Sequence, residues 1–230
     1  MKDPHLRILA LDTTLSACSV ALLADSEIVG FETARIARGH AEALLPMVMQ
    51  VCAQAEKTLA DIDRIAVTVG PGTFVGIRVG VAAARAFGLA LDIPVTGVTT
   101  LEALAATAKP DTGPIAAVID ARNNQYYAQL FDGENRPADK PQLLQTEALI
   151  TLVSDAGASL TGPGADALAA AIAAQSSCRS PIIPVLTPDA RIIAQLATGR
   201  EAQAPNTIRP LYLRPPDAKL PHARTPRSIA

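Results

Sequence analysis

The sequence predicts an α/β protein with two similar halves. Strand-like apolar runs alternate with helical patterns along the 230 residues, and a strand hairpin is predicted near the start of each half. In the first half, residues 6–12, 18–23 and 28–33 are predicted as three antiparallel strands. Residues 25–27 provide the turn between the second and third of these strands.

The rest of the first half is predicted as three helices alternating with two strands. The expected ranges are 40–55 (helix), 64–70 (strand), 76–91 (helix), 95–98 (strand) and 99–108 (helix). Pro46 lies inside the first helix and should bend it, because proline lacks a backbone donor. Thr99 and Glu102 have the spacing of a capping box, which predicts the start of the third helix.

A turn-rich stretch at residues 109–114 is predicted to separate the halves. After it, the expected elements are strands at 115–120 and 125–131 around an Asn123-Asn124 turn, helices at 147–155 and 165–175, and a helix with Thr187 as N-cap and Pro188 at its first position. The predicted domains are therefore an N-terminal lobe (1–108), a smaller C-terminal lobe (109–204) and a tail (205–230).

The tail has a composition of its own. Six of the 18 prolines lie in residues 205–230, and five basic residues there oppose Asp217. This predicts disorder beyond Arg214. The tail is either an inert extension or a basic arm that touches a partner or RNA.

Overall composition excludes several classes of protein. The formal net charge is −2, which argues against a general nucleic-acid binder. Hydrophobic residues make up 49% of the chain, too many for a disordered protein. Aromatic residues make up only 3%, so stacking platforms for single-stranded nucleic acid are not expected.

Metal and nucleophile sites are poorly supported. The three cysteines form no C-x-x-C pair and are expected to be buried small side chains. The three histidines (His5, His40 and His222) lack metal-ligand spacing, so no metal cofactor is predicted, and His40 is assigned a capping or contact role. No G-x-S-x-G motif occurs.

No targeting or membrane segment is predicted. The apolar run near the N-terminus is short and ends at Asp12, unlike a signal peptide. No run of about 18 uncharged apolar residues occurs. We therefore expect a cytoplasmic protein that does not bind membranes.

Two turns are candidate anion or nucleotide contacts. The loop Gly70–Gly76 joins a predicted strand to a helix N-terminus, where backbone N–H groups can hold an anion, but it lacks the Walker lysine. A tight turn that needs its glycines is the alternative. Asp12 closes the first strand and could face a nucleotide or simply cap its turn. The candidate contacts are Asp12, Thr13, Thr73 and Gly76.

The predicted helices 40–55 and 76–91 are apolar on more than one face. Gly76, Gly80, Ala84 and Gly88 also form a stripe of small residues that predicts a close helix neighbour in this chain or another. One chain cannot easily bury both helices, which indicates an exposed patch for a partner. The residues selected for this interface are Leu44, Met47, Val48, Val51, Arg78, Val81 and Arg85.

An ordered series of motifs resembles a known family. The segments ILALDTTLSACSVAL, RGHAEALLP, GPGTFVGIRVG, IPVTGVTTLEALA, IDARNNQYYAQLF and PLYLR resemble the TsaB family of bacterial tRNA threonylcarbamoyladenosine biosynthesis proteins. The resemblance runs from about residue 8 to residue 214. It implies a two-lobed actin-like, sugar-kinase-like fold with a reduced C-terminal lobe.

The resemblance also implies a function and partners. Members of this family are partner subunits of the TsaD transferase, which makes N6-threonylcarbamoyladenosine at position 37 of tRNA, and the ATPase TsaE joins them. The resemblance thus implies a chain without its own catalytic site or cofactor, an inactive homologue of glycoprotease-like proteins that meets tRNA only through the complex. A homodimer through the same helices is the alternative assembly. Val48→Glu or Val81→Glu is expected to abolish the complex and leave the monomer folded.

Two rival functions remain open from the sequence. A small-molecule kinase or ATPase of the same fold would hold Mg-ATP with Asp12 and the loop at residues 73–76. An RNA-binding module would use the basic tail and show steeply salt-dependent binding.

Overall fold

The computed structural model describes residues 6–108, 113–175 and 179–214. Several predictions concern residues outside these ranges. They are the roles of His5, Cys178 and His222, most of the boundary at 109–114, and the disorder of the tail beyond Arg214.

The first half forms a five-stranded mixed sheet of order β3-β2-β1-β4-β5. Strands β1 to β3 form an antiparallel meander, whereas β1, β4 and β5 run parallel. The elements are β1 (Ile8–Asp12), β2 (Ala17–Ala24), β3 (Glu27–Arg35), α1 (His40–Gln54), β4 (Arg64–Thr68), α2 (Phe74–Leu91), β5 (Val95–Val98) and α3 (Thr100–Ala108), with a 3₁₀ turn at Leu59–Asp61.

The second half forms another five-stranded sheet, of order β10-β9-β6-β7-β8. Its elements are β6 (Ile115–Asp120), β7 (Gln125–Phe131), β8 (Gln142–Gln145), α4 (Thr146–Ala156), β9 (Ser159–Thr161), α5 (Ala165–Gln175), β10 (Ile182–Ile183) and α6 (Ala190–Thr198), followed by a 3₁₀ turn at Pro205–Thr207. Strands β8, β9 and β10 were not predicted.

The two halves repeat one topology. In each, an antiparallel meander is followed by two parallel strands on the other side of the first strand, and helices fall at the same points in the order. The predicted two-lobed actin-like fold is confirmed. The second half is the reduced one, since α4 and α5 have 11 residues each where α1 and α2 have 15 and 18.

The last helix of each half packs on the sheet of the other half. Helix α6 covers β1, β2 and β4 through Ala190, Ile193, Ala194 and Ala197. Helix α3 packs on β6 and β7, where Leu101 and Leu104 meet Phe131. The predicted domain boundary near residue 109 therefore stays a prediction. Each sheet is covered by helices from the part of the chain before this boundary and from the part after it.

Local chemistry explains where two helices begin. The capping box predicted at Thr99 is confirmed: Thr99 N and Oγ1 donate to Glu102 Oε2 at 2.9 and 2.8 Å, and Glu102 N donates to Thr99 Oγ1 at 3.1 Å. The N-cap predicted at Thr187 is wrong. Asp189 caps α6 instead, because its carboxylate accepts from Arg191 N at 2.8 Å.

Residues 203–214, termed here the C-terminal strap, lie along the first half. Gln203 exchanges two backbone hydrogen bonds with Val95, and Leu211 N donates to Val69 O at 2.7 Å. At the end of the strap, Arg214 donates to Gln125 Oε1 in the second half. The strap thus contacts both halves.

Helix α2 has the length and composition of a membrane span, by those two criteria alone. A third of it is buried within the protein, where it packs on β4 and the strap. Core helices of water-soluble proteins meet the same criteria.

Candidate functional site at the helical face and the interlobe cleft

Helices α1 and α2 lie side by side on one face of the first sheet. Leu44, Met47, Val48, Val51 and Val81 point into the core beneath them and are at most 9% exposed. The sequence analysis chose these five as surface contacts, which is corrected here. Both sides of α1 are apolar, so its pattern could not show which side the sheet covers.

The opposite side of the two helices is exposed and also apolar. Leu45 and Met49 are each 54% exposed, Val75 is 68% exposed and Leu89 is 65% exposed. A groove of about 300 Å³ runs between the helices, lined by Ala41, Leu44, Leu45, Val79, Ala82, Ala83 and Phe87. We define the helical face as Ala41, Leu45, Met49, Val75, Val79, Ala82, Ala86 and Leu89.

Arg78 and Arg85 contact the C-terminal strap. Arg78 Nε donates to the Tyr212 hydroxyl at 3.0 Å, and its guanidinium carbon lies 3.6 Å from the centroid of the Phe74 ring. Arg85 donates to the Asn206 carbonyl at 3.0 Å. Both arginines therefore hold the strap against α2 rather than extend the helical face.

The small residues of α2 permit close approach, but not by a helix. A side chain at Gly76 would collide with the Thr13 carbonyl, and one at Gly80 would lie 2.7 Å from Thr13 Oγ1. Gly88 faces Pro205 and Val95. The expected close helix neighbour is therefore wrong, because the stripe accommodates the β1–β2 turn, a strand and the strap.

The β1–β2 turn and the glycine loop are packed against each other. Thr13 Oγ1 donates to the Gly76 carbonyl at 2.7 Å, and Thr73 N donates to the Thr14 carbonyl at 2.8 Å. The Thr73 hydroxyl accepts from Gly76 N at 3.2 Å as the N-cap of α2. The four candidate anion contacts do come together, but Thr13 Oγ1, Thr73 N and Gly76 N are each hydrogen-bonded within the chain.

Asp12 is sealed beneath this contact at 0% exposure. Its Oδ1 accepts from Thr14 N, Thr14 Oγ1 and Thr68 Oγ1 at 3.2, 2.6 and 2.5 Å, so it caps its turn. Its Oδ2 has no partner among the described residues. Burial raises the pKa of Asp12 above its ordinary value, against the lowering effect of these hydrogen bonds.

Other buried groups that could take part in chemistry are a histidine and two cysteines. His40 is 7% exposed and its Nε2 lies 3.0 Å from the Leu15 carbonyl, which agrees with the predicted contact role. Cys18 and Cys52 are free and buried, and burial raises the pKa of Cys18 to about 11. Within the described ranges, no group of three or more His, Cys, Asp or Glu side chains could hold a metal.

A larger cleft of about 1060 Å³ lies between the two halves. Its first wall is the glycine loop and the start of α2, its second is the β6–β7 turn, and the end of the strap closes one side. Of its lining residues the sequence analysis selected only Thr73 and Arg78, and it assigned neither of them to a cleft between the halves. The sequence signal for the second wall is the run ARNNQ, whose asparagines favour a tight turn. In the structure Arg122, Asn123 and Asn124 all have positive φ at this turn.

Comparisons with known proteins give the family. A family model described as TsaD, tRNA N6-adenosine threonylcarbamoyltransferase, matches residues 26–179. YeaZ from Pseudomonas aeruginosa is 30% identical, covers 90% of this chain and 100% of its own, and superposes with a TM-score of 0.79. The TsaB protein of Escherichia coli is 38% identical over 134 residues, which cover 56% of this chain and 57% of that protein. The chain belongs to the TsaB family.

A further relative matches this chain over nearly the whole length of both proteins. An uncharacterized protein of Mycobacterium tuberculosis is 35% identical over 223 residues, covering 92% of this chain and 93% of the relative. TsaB family proteins are named for tRNA threonylcarbamoyladenosine biosynthesis, and this chain takes part in that process. The family resemblance seen in the sequence is confirmed.

Proposed function

We propose that this TsaB family member is a non-catalytic subunit that binds TsaD through the helical face during synthesis of threonylcarbamoyladenosine at position 37 of tRNA. The observation that carries the proposal is the exposed apolar surface of α1 and α2. Leu45, Met49, Val75 and Leu89 are each more than half exposed on neighbouring helices. A contiguous apolar surface of this kind is typical of a protein interface.

The chemistry of the face favours a helical, apolar partner. None of its eight residues is charged, and the groove between α1 and α2 can receive side chains from another helix. The family model that matches this chain is that of TsaD, so TsaD should offer helices at equivalent positions. Two helix pairs packed together would cover both apolar faces.

The β1–β2 turn supports a role without chemistry of its own. Asp12 is fully buried, and the loop that could have held phosphate is hydrogen-bonded to the turn. A kinase or ATPase that used Asp12 and residues 73–76 would first have to separate these elements. In the proposed complex, TsaE joins the pair in the cytoplasm, tRNA is met only through the assembly, and a second copy of this chain occupies the face when TsaD is absent.

The test is size-exclusion chromatography with light scattering, on this chain alone and mixed with TsaD from the same organism. We expect a new 1:1 species in the mixture. Leu45→Glu and Val79→Glu should remove it while circular dichroism stays unchanged, because both side chains line the groove.

Leu186→Glu is the matched control. Leu186 is 47% exposed, close to the 54% of Leu45, but lies in the second half away from the helical face. The proposal fails if all three variants form the complex with TsaD as the wild type does. It also fails if the folded wild-type chain forms none.

A further inference from the structure

We propose that the end of the C-terminal strap is a releasable clamp on the first turns of α2. While Arg214 is hydrogen-bonded to the second half, Tyr212 and Arg78 hold these turns in the conformation that presents the helical face. The clamp is a property of the free chain, and only its effect on partner binding rests on the proposed function.

Helix α2 presents three sides to three different surroundings. Ile77 and Ala84 lie in the core of the first half, and the residues of the helical face lie on the outer side. Between these two sides is a third that the strap covers. Its residues, at helical spacing, are Phe74, Arg78, Arg85 and Gly88. Because positions three and four apart on a helix are neighbours, Arg78 flanks Val75 and Ala82 of the helical face.

Three side chains form the clamp at the start of α2. The rings of Phe74 and Tyr212 are stacked with their centroids 5.7 Å apart. The Arg78 guanidinium carbon lies 3.6 Å from the centroid of the Phe74 ring, and Arg78 Nε donates to the Tyr212 hydroxyl at 3.0 Å. Each side chain contacts the other two, and two of the three belong to α2. The order of the first turns of α2 therefore depends on where the strap holds Tyr212.

The end of the strap is anchored in the second half. Arg214 donates to Gln125 Oε1 at 2.5 Å, and Gln125 is fixed because its backbone is paired with β8. Within the described chain, the last backbone hydrogen bond of the strap is the one from Leu211 to the Val69 carbonyl. Residues 212–214 are therefore held by side-chain contacts.

The two ends of the strap differ in how firmly they are held. At its start, Gln203 and Val95 exchange two backbone hydrogen bonds, and Ile208 is only 3% exposed in the core. At its end, the rings of Phe74 and Tyr212 are about half exposed, and Arg214 makes a single bond to a neutral amide. Loss of one such bond changes a population by about tenfold. The end can thus open locally while the start stays bound.

Release of the end would affect the helical face through Val75. Without Tyr212, the Phe74 and Arg78 side chains lose the partner that orders the first turns of α2, and Val75 lies between them and the outer side. A partner that packs on the ordered turns binds the clamped form more tightly. By reciprocity, the bound partner stabilises the clamp.

The experiment is hydrogen–deuterium exchange on the full-length chain. Gln125→Leu removes the acceptor of Arg214 by a change in β7, and Arg214→Gln removes the cation from the strap. Each variant should speed exchange about tenfold in peptides covering residues 74–82 and 209–214. The amides of Val95 and Gln203 should exchange as in the wild type. The double variant should be no faster than either single one, because both remove the same bond.

Gln142→Leu is the matched control. It also removes a side-chain hydrogen bond in the second half, from Gln142 Nε2 to Asp139 Oδ2 at 2.8 Å, but this bond does not involve the strap. Exchange in the two segments should stay at the wild-type rate. The clamp is overturned if neither Gln125→Leu nor Arg214→Gln speeds exchange at the start of α2, or if Gln142→Leu speeds it equally.

A second measurement adds TsaD. Bound TsaD should slow exchange of the Leu211 amide, and Gln125→Leu should weaken binding about fivefold, although Gln125 lies outside the helical face. Binding that leaves the Leu211 amide unchanged would contradict the effect on the partner. A folded wild-type chain that does not bind TsaD contradicts the proposed function instead, while exchange in the free chain decides the clamp by itself.

Discussion

The helix pairs α1/α2 and α4/α5 hold the same places in the two halves but present different surfaces. The exposed positions of α4 are Glu147, Ala148, Thr151, Ser154 and Asp155, and α5 exposes Asp166 and Gln175 among alanines. Helices α1 and α2, in contrast, expose long apolar side chains such as Leu45 and Leu89. The fold requires only the inner sides of these helices to be apolar. The fold therefore does not account for the outer apolar surface of α1/α2, and this surface is the basis of the proposed interface with TsaD.

The largest effect is expected from charge placed on the inner side of the first pair. Val48→Glu and Val81→Glu would bury a carboxylate among the side chains of the core, where the wild-type residues are 0% and 3% exposed. We expect a loss of about 3–5 kcal/mol in the free energy of unfolding, measured by urea denaturation. The sequence-based expectation of a folded monomer is thus revised. Cooperative unfolding at the wild-type urea concentration would contradict the assignment of the inner side.

The next effect is expected on the outer sides. Met49→Glu on α1 should weaken binding to TsaD by roughly 30-fold or more, the scale of an interface hot spot, with little change in stability. Thr151→Glu on α4 introduces the same charge at an exposed position of the other pair and should leave the affinity unchanged. Surface plasmon resonance with immobilised TsaD measures both. Equal losses would mean that the two pairs do not differ in recognition.

A smaller effect is expected where the halves are joined by an ion pair. Arg200 Nη2, just beyond α6, lies 2.9 Å from Glu102 Oε1 on α3. Although burial raises the pKa of Glu102, the hydrogen bonds and charge of Arg200, with the Thr99 bonds, hold it below its ordinary value. The stability that this ion pair contributes is fully present above the ordinary pKa of a glutamate. It is lost as the pH falls through the lowered pKa of Glu102 in the folded protein.

Glu102→Gln should therefore reduce the free energy of unfolding by about 1–2 kcal/mol at pH 7, and by less in acid. Thermal unfolding between pH 3 and pH 7 measures the change. Glu147→Gln, an exposed change on α4, serves as the control. A loss that stays constant across this pH range would argue against the ion pair as its cause.

The smallest effect is expected at Asp12, which is buried where its topological counterpart Asp120 is exposed. Because the pKa of Asp12 is higher in the folded protein than in the unfolded chain, folding takes up a proton when the pH lies between these two pKa values. Stability is then highest below the ordinary pKa and falls as the pH rises towards the folded one. Asp12→Asn should flatten this slope and increase stability by about 1 kcal/mol at pH 8. An unchanged slope in thermal unfolding would contradict burial as the controlling factor.

Local signals made part of this structure predictable. The Thr99–Glu102 capping box, the hairpin turn at Asp25 and the apolar character of α1 each depend on residues close in sequence, and each is present. The inner and outer sides of α1 were not predictable, because Leu44 and Leu45 are equally apolar and only the sheet decides which is covered. The cleft was missed for a related reason. Phe74 and Tyr212 are far apart in the chain and become neighbours only through the strap.

The exchange of terminal helices between the halves has a consequence for synthesis on the ribosome. The face of β1 and β2 that α6 covers is complete after about the first 24 residues, but α6 ends at Thr198. At about 5–20 residues per second, that apolar face waits on the order of 10–30 s for its cover. Helix α3 emerges early and has no sheet to pack on until β6 and β7 follow. A nascent chain with only its first half made therefore exposes the apolar side of β1 and β2 and the apolar side of α3. We expect chaperones that act during translation to bind these surfaces.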